Sequence, residues 1–125
     1  MTSAMNDICN ALQDYFDALY FCDVDKLQGV FHPKAIYATA DETPLLYRTM
    51  GEYVPVIAAR QSPASRNEDR HDHIDAIDLA GDNTAVARVR CSIGQRDFVD
   101  FLTLVRTDGR WRIIAKVFQI IERQS

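Results

Sequence analysis

The sequence predicts an α+β fold: three N-terminal helices packed on a strongly curved antiparallel or mixed sheet that forms a cone with an internal pocket. Three observations predict it. Apolar residues recur at helical spacing in the first half, long β-rich runs fill the second half, and Asp108-Gly109 joins the two longest runs. Helices followed by an antiparallel meander are typical of this class. The length of 125 residues suits one domain spanning the whole chain, 1–125.

The three helices follow from apolar periodicity and from capping residues. Residues 6–22 form an amphipathic helix whose apolar positions are Ile8, Leu12, Tyr15, Phe16 and Leu19. Asp23 is suited to cap a second helix, Val24–Val30. Thr49 and Glu52 form a capping box for a third helix, Met50–Arg60. Pro55 lies deep in that helix, so the helix either kinks there or starts later.

The strands begin with a short pair and continue as a long meander. The predicted strands are Ile36–Thr39, Leu45–Arg48, Arg70–Leu79, Ala85–Ile93 and the two arms of the hairpin Phe98–Glu122. Asp108-Gly109 favours a type I′ turn, because both residues tolerate positive φ. This turn pairs Thr107 with Arg110 and Asp100 with Val117. A second turn, Gly94-Gln95, then places Val89 opposite Asp100.

Strict alternation divides the hairpin residues between two faces. The inner face holds Phe98, Asp100, Leu102, Leu104, Trp111, Ile113, Ala115 and Val117. The outer face holds Val99, Phe101, Thr103, Val105, Arg112, Ile114, Lys116 and Phe118. Arg88 and Arg90 join this outer face. A β-bulge would instead turn Lys116 inward, towards Asp100.

Composition excludes several classes of function. The net charge is −4 without a basic block, so a nucleic-acid partner is not expected. No apolar run approaches the roughly 20 residues of a membrane span, and the polar N-terminus shows no signal peptide. The three cysteines, Cys9, Cys22 and Cys91, are odd in number and far apart, which favours a reduced, cytoplasmic environment. We expect no cofactor.

Asp100 is the sharpest candidate for a site residue, because it interrupts an apolar face. A buried carboxylate must pair, become neutral or face a wet cavity. Asp100 is therefore either a pocket acid, base or hydrogen-bond anchor for a ligand, or a structural carboxylate near the rim, held by backbone donors or an arginine.

Two histidines form a second candidate cluster. His71, His73 and Asp75 alternate along one strand and share their parity with Ile77 and Leu79, so we expect them on the inner face. Such a run can bind zinc, but a full site needs three or four ligands. Only His32 is otherwise available, so we predict no metal site. His73 remains a candidate acid–base group, with a hydrogen-bonded, non-catalytic histidine as the alternative.

Aromatic residues supply candidate walls for the pocket. We expect Tyr15, Tyr37 and Trp111 to contact it, because small-molecule sites are apolar cavities with a few polar groups. Aromatic residues at helical spacing also pack as ordinary core, and this alternative stays open.

Several segments resemble the nuclear transport factor two-like superfamily, which includes ketosteroid isomerase, scytalone dehydratase and SnoaL-like cyclases. They are Tyr15–Cys22, Asp23–Leu27 running into Phe31–Ala35, and the ending Asp108–Ile113. Within the superfamily, Asp100–Leu104 and Lys116–Phe118 look most like the "putative lumazine-binding" group of small bacterial proteins. The resemblance implies this cone-shaped, cystatin-like fold, a ligand and dimerisation through the sheet. It carries over no catalytic residue.

Three functions fit these observations. The first is a small-molecule-binding protein for a flat, largely apolar or heteroaromatic ligand such as a pteridine. The second is an acid–base enzyme, an isomerase or dehydratase using Asp100 and His73. The third is a dimeric interaction domain with a vestigial pocket. We also predict a homodimer through the outer face, because that face is half apolar and too large a patch for a monomer.

Overall fold

Three helices cover one face of a six-stranded mixed sheet in the computed structural model, which describes residues 3–123. The helices are α1 (Ala4–Phe21), α2 (Val24–Val30) and α3 (Met50–Ala59), with a 3₁₀ turn at Ala64–Arg66. The strands are β1 (Phe31–Thr39), β2 (Leu46–Thr49), β3 (His73–Ala80), β4 (Thr84–Ile93), β5 (Arg96–Thr107) and β6 (Arg110–Glu122). Their order is β2-β1-β6-β5-β4-β3, and only β1 and β6 pair in parallel. The predicted α+β class is confirmed.

The first two helices begin and end at residues with a local reason to do so. Ser3 Oγ accepts the Asn6 backbone N–H at 3.1 Å, which satisfies a free donor of the first turn of α1. Cys22 ends α1 in the left-handed region, at φ 49°. Asp23 caps α2 by accepting the Lys26 N–H at 3.1 Å, as predicted. Within residues 3–123 no helix is both long enough and apolar enough to cross a membrane.

Helix α3 is capped in its first turn and contains a proline in its second turn. The carboxylate of Glu52 accepts hydrogen bonds from the N–H of Thr49 at 3.0 Å and from its hydroxyl at 3.1 Å. The helix therefore begins at Met50 and continues through Pro55, and the alternative of a later start is wrong. Pro55 cannot donate to the carbonyl of Gly51, so this turn lacks one helical hydrogen bond.

The central hairpins have the predicted register near their turns. Asp108 and Gly109 both have positive φ, at 52° and 74°, as a type I′ turn requires. Thr107 pairs with Arg110, and Val89 pairs with Asp100. Alternate residues of β4 are buried beneath the helices, namely Ala85, Ala87, Val89 and Cys91.

A β-bulge in β6 changes the face on which every later residue of that strand lies. Leu104 pairs with Ile113, but Thr103 pairs with Ala115, so Ile114 is an extra residue. Beyond the bulge Lys116 and Phe118 face inward and are buried, whereas Val117 faces outward and is 47% exposed.

Strict alternation was therefore wrong from Ala115 onwards. The predicted outer placement of Lys116 and Phe118 is corrected, as is the predicted inner placement of Ala115 and Val117. Asp100 pairs with Phe118, one residue beyond the predicted partner. The extra residue has no partner in β5, and this shifts the parity by one.

Candidate functional site

The bulge brings the ammonium group of Lys116 into a cage of aromatic rings. Its Nζ lies 5.1 Å from the ring centroid of Tyr15, 5.3 Å from that of Tyr37, 5.7 Å from that of Tyr53 and 5.3 Å from that of Phe118. The side chain is only 6% exposed. The negative faces of aromatic rings attract a cation at such distances, so the rings take over part of the role of water around the ammonium.

Asp100 is fully buried next to this cage. The hydroxyl of Tyr15 donates to Asp100 Oδ2 at 2.6 Å, and the Cys91 sulfur lies 4.0 Å from the same oxygen. The other oxygen, Oδ1, has no hydrogen-bond partner among residues 3–123. Buried carboxylate oxygens are normally hydrogen-bonded, so Oδ1 is an unusual feature.

The sheet register places the two buried charges on neighbouring rows of the inner face. Lys116 pairs with Leu102 on one side and with Tyr37 on the other, whereas Asp100 lies in the next row, opposite Phe118. Neither charge belongs to an ion pair among the described residues. They attract each other across the low-dielectric interior without direct contact.

This environment shifts the pKa of several groups. Burial raises the pKa of Tyr15, and the negative charge of Asp100 raises it further. Burial also raises the pKa of Tyr53. The pKa of the Cys91 thiol is raised by burial and then by Asp100. For Lys116 burial acts to lower the pKa, but interactions with Tyr53 and Asp100 outweigh it and raise the pKa. At neutral pH Tyr15 is therefore a neutral donor and Lys116 is charged.

An open cavity of about 530 Å³ lies beside the aromatic cage, and we call it the mouth cavity. Its aromatic floor consists of Tyr37, Phe98 and Phe118. Its apolar sides are Pro44, Leu45, Leu46, Val56 and Ile120, and its charged residues are Glu42, Arg48, Arg60 and Arg96. The turn that forms one wall is held to β6, because the Ile120 N–H donates to Asp41 Oδ2 at 2.8 Å.

The charged residues of the mouth cavity are mostly basic. Arg96 contacts Glu122 at 2.7 Å and Glu42 at 3.6 Å, so its charge is largely balanced. Arg48 lies over the ring of Tyr37, with its Cζ 5.6 Å from the centroid. Within residues 3–123, neither Arg48 nor Arg60 forms an ion pair. Two arginine charges therefore remain available beside an aromatic surface.

Three of the predicted site residues lie together and two lie elsewhere. Tyr15 and Asp100 are hydrogen-bonded, and Tyr37 belongs to both the cage and the mouth cavity. Trp111 pairs with Arg106 next to the hairpin turn and lines a separate cavity of about 380 Å³. None of the five described cavities is lined by Asp100, which is closed off from solvent.

His73 lies on the outer face of the sheet, so its predicted inner placement is wrong. Ile74 pairs with Val89 and Ala76 pairs with Arg88, which makes Asp75 the extra residue of a second bulge. This bulge reverses the parity between Ile77 and His73. His73 is exposed opposite Arg90, across the sheet from the buried carboxylate of Asp100. Among the described residues no three His, Cys, Asp or Glu side chains are grouped to hold a metal ion.

The bulge and the chain topology bring together residues that the sequence pattern does not connect. Strict alternation puts Phe118 on the wrong face, and nothing in the sequence distinguishes Tyr53 from an ordinary core aromatic residue. Arg48, Arg60 and Arg96 come from three separate segments, and no sequence spacing connects them. The one available signal was Lys116, whose inward turn would have moved Phe118 inward as well.

Comparison with known proteins agrees with this architecture. The family described as "Putative lumazine-binding" matches residues 3–119, which is nearly the whole chain. The chain belongs to this family. It is the family that the sequence resemblance indicated, and the fold is that of nuclear transport factor two-like proteins of known structure. A comparison with curated proteins found no match.

Solved structures of bacterial NTF2-like proteins share the fold along their whole length. One from Silicibacter pomeroyi, of unknown function, has a TM-score of 0.80 and 23% identity, covering 97% of this chain and 100% of that chain. One from Shewanella baltica has a TM-score of 0.82 and 21% identity, covering 97% of this chain and 98% of that chain. A ketosteroid isomerase-like protein from Erwinia carotovora has a TM-score of 0.75 and 12% identity, covering 98% and 99%. At these identities the likeness establishes the fold alone.

The Tyr15–Asp100 hydrogen bond is expected to make a coupled contribution to stability. Tyr15→Phe leaves Asp100 Oδ2 with only the weak thiol donor of Cys91, so the free energy of unfolding should fall by about 2 kcal/mol. In an Asp100→Leu background the same change should cost less than about 1 kcal/mol, because the acceptor is gone. Urea unfolding of the four proteins measures this coupling.

Tyr20→Phe is the matched control for that cycle. The Tyr20 hydroxyl donates to the carbonyl oxygen of Glu68 at 2.7 Å, in a half-buried site on the same helix. Tyr20→Phe should lower the free energy of unfolding by the same amount in the unmodified and the Asp100→Leu backgrounds. If Tyr15→Phe also costs the same in both backgrounds, the buried hydrogen bond carries no coupling energy.

Alkaline pH is expected to destabilise the fold. Cys91, Tyr15 and Lys116 have pKa values raised above the ordinary 9.0, 10.0 and 10.5, so the native state holds their protons more tightly than the unfolded state. Their stabilisation is complete below those ordinary values and is lost as the pH rises above them. Each group contributes a slope of about 1.4 kcal/mol per pH unit where only the unfolded state has ionised.

Cys91→Ala removes the more deeply buried of two cysteines, Cys22 and Cys91, whose pKa values are raised above the ordinary 9.0 and which act first as the pH rises. Its free energy of unfolding should therefore fall less steeply than that of the unmodified protein between about pH 9 and about pH 10. Urea titrations at both pH values, followed by circular dichroism, measure the slopes. Equal stability of the unmodified protein at neutral pH and at about pH 10 would contradict the described burial.

Proposed function

We propose that this protein binds a small, flat aromatic or heteroaromatic molecule in the mouth cavity. The observation that carries this proposal is the aromatic floor of Tyr37, Phe98 and Phe118 in a cavity of about 530 Å³. Small-molecule sites are usually concave, apolar cavities of about 300–1,000 Å³ with a few polar groups. A planar ring lying on this floor exchanges water for aromatic contacts on its face.

The floor is firmly positioned, which favours binding of a rigid ligand. The ring of Tyr37 stacks on Tyr53 with centroids 4.4 Å apart and packs against Phe118 at 4.7 Å. Phe98 packs against Phe118 at 6.0 Å. A ligand then loses little affinity to ordering of the protein. The description of the family names lumazine, a flat bicyclic ring of suitable shape.

An acid–base enzyme is the second candidate, and one observation favours it. Asp100 retains an unpartnered oxygen, Oδ1, in an interior that also holds the charge of Lys116. A role for His73 beside Asp100 has no support, because the two residues lie on opposite faces of the sheet. Binding ranks ahead of catalysis because Asp100 is fully buried, whereas the mouth cavity is open.

Titration calorimetry with lumazine tests the binding proposal. We expect saturable binding to the unmodified protein. Tyr37→Ala should weaken it about tenfold, because stacking on one aromatic side chain contributes on the order of 1–3 kcal/mol.

Trp111→Phe is the matched control, since Trp111 is aromatic and buried but lines a different cavity. Its affinity for lumazine should remain unchanged. Absence of saturable binding to the unmodified protein, or loss of binding through Trp111 rather than Tyr37, would contradict the assignment to the mouth cavity.

We also propose that the protein forms a homodimer through the outer face of the sheet. One row across this face contains Tyr47, Val117 and Phe101, all of which are about half exposed. Val86 and Ile121 lie on the same face and are exposed as well. An exposed apolar patch of this kind is typical of an interface, and a two-fold axis lets the same patch serve both copies.

The charges around the patch suit a second copy of the chain. Arg88 lies over the Phe101 ring at 5.6 Å, and Arg112 flanks the patch on β6. Asp78 lies on the same face, opposite Val86. Because the face carries both signs of charge, self-association does not bring together like charges alone.

Sedimentation measures the assembly. The unmodified protein should sediment at twice the 14.2 kDa mass of one chain. Phe101→Glu should shift it towards monomer, since an unpaired carboxylate is costly to bury. Met5→Glu places the same charge at an exposed apolar residue of α1 and should leave the dimer intact. A monomeric unmodified protein at micromolar concentration would contradict the proposal.

A further inference from the structure

The mouth cavity is basic although the protein as a whole is acidic. The chain has a net charge of −4, yet three arginines and one glutamate line this cavity. The glutamate, Glu42, lies within 3.6 Å of Arg96, and Glu122 contacts the same guanidinium. Arg48 and Arg60 therefore account for the positive charge that is left.

The positions of these two arginines are fixed by the fold. Arg48 pairs with Tyr37 across β2 and β1, so its side chain lies on the inner face of the sheet, beside the aromatic floor. Arg60 ends α3, and its backbone N–H donates to the Ile57 carbonyl at 3.2 Å. One guanidinium comes from the sheet and the other from the helix that covers it.

A third positive charge lies behind the floor. The ammonium of Lys116 is 5.3 Å from the ring centroids of both Tyr37 and Phe118. These two rings separate Lys116 from solvent and also form the surface on which a ligand would lie. The low-dielectric floor weakens screening, so the field of Lys116 adds to that of the arginines.

We propose that the ligand of the mouth cavity is a planar aromatic anion, whose charge is bound by Arg48 and Arg60 and whose ring lies on Tyr37 and Phe118. This inference rests on the proposed function and specifies the ligand class for the same cavity. Guanidinium groups bind carboxylate, sulfonate or ionised heteroaromatic oxygens through paired N–H donors, and their planes also stack on aromatic rings. A neutral ring of the same shape makes only the stacking contacts.

Two fluorescent probes separate charge from shape. 1-Anilinonaphthalene-8-sulfonate and N-phenyl-1-naphthylamine have the same ring system, and only the first carries a sulfonate. We expect the sulfonate to bind the unmodified protein at least about tenfold more tightly than the neutral amine, because a charge-assisted contact contributes on the order of 1.5–3 kcal/mol.

Arginine variants then locate the charge effect. Arg48→Gln and Arg60→Gln should each weaken sulfonate binding about tenfold and leave binding of the neutral amine within about twofold. Arg106→Gln makes the same charge change near the opposite end of β5, outside this cavity, and should leave both affinities unchanged. Val56→Trp fills the mouth cavity and should weaken both probes together.

The outcomes distinguish the inference from the function on which it rests. Equal affinities for the two probes, with both weakened by Val56→Trp, would overturn the anionic class while leaving aromatic binding in the mouth cavity intact. If neither probe binds, or if Val56→Trp affects neither, the proposed function fails and the inference fails with it. Preferential loss of sulfonate binding in Arg48→Gln and Arg60→Gln supports the inference.

Discussion

The buried ammonium of Lys116 is the constraint on which the rest of the structure depends. Removing a charge from water costs several kcal/mol, and the protein offsets this with ring faces and a distant carboxylate. The four rings come from different elements: Tyr15 from α1, Tyr37 from β1, Tyr53 from α3 and Phe118 from β6. A shift of α1 or α3 would move an aromatic ring away from the ammonium and leave that side of the charge without its contact. The cage therefore fixes how the helical layer sits on the sheet.

Much of the fold could be predicted from residue patterns, because helix periodicity and turn chemistry are local. The bounds of α2, the pairing of Val89 with Asp100 and the type I′ turn at Asp108 all depend on residues close in sequence or on a single turn. The face of Asp100 followed from the same register. Its contact with Tyr15 links residues 85 positions apart, so alternation placed the carboxylate but did not identify its donor.

The bulges could not be predicted, because the sequence is compatible with a regular strand and with a bulged one. Residues 113–118 are Ile-Ile-Ala-Lys-Val-Phe. Strict alternation places Ile113, Ala115 and Val117 inside, whereas the bulge places Ile113, Lys116 and Phe118 inside, so both arrangements bury at least two apolar side chains. Only the packing of a whole sheet on its helices decides between them. The same limit affected His73, whose parity depends on an extra residue two positions later. The three arginines of the mouth cavity could not be predicted for another reason. Arg48 comes from a strand, Arg60 from the end of a helix and Arg96 from the start of a hairpin strand.

The single extra residue at Ile114 also has a consequence for how this chain tolerates length changes during evolution. Beyond the bulge, successive residues lie on opposite faces of the sheet. Lys116 and Phe118 face the interior, and Val117 faces outward. Deleting Ile114 would remove the one residue without a partner in β5, so Ile113 would still pair with Leu104 and Ala115 with Thr103. Lys116 would then still face the aromatic cage and Val117 would still face outward. Homologues that share the cage can therefore either keep this bulge or have a regular strand that is one residue shorter, because both lengths place the cage residues on the same face.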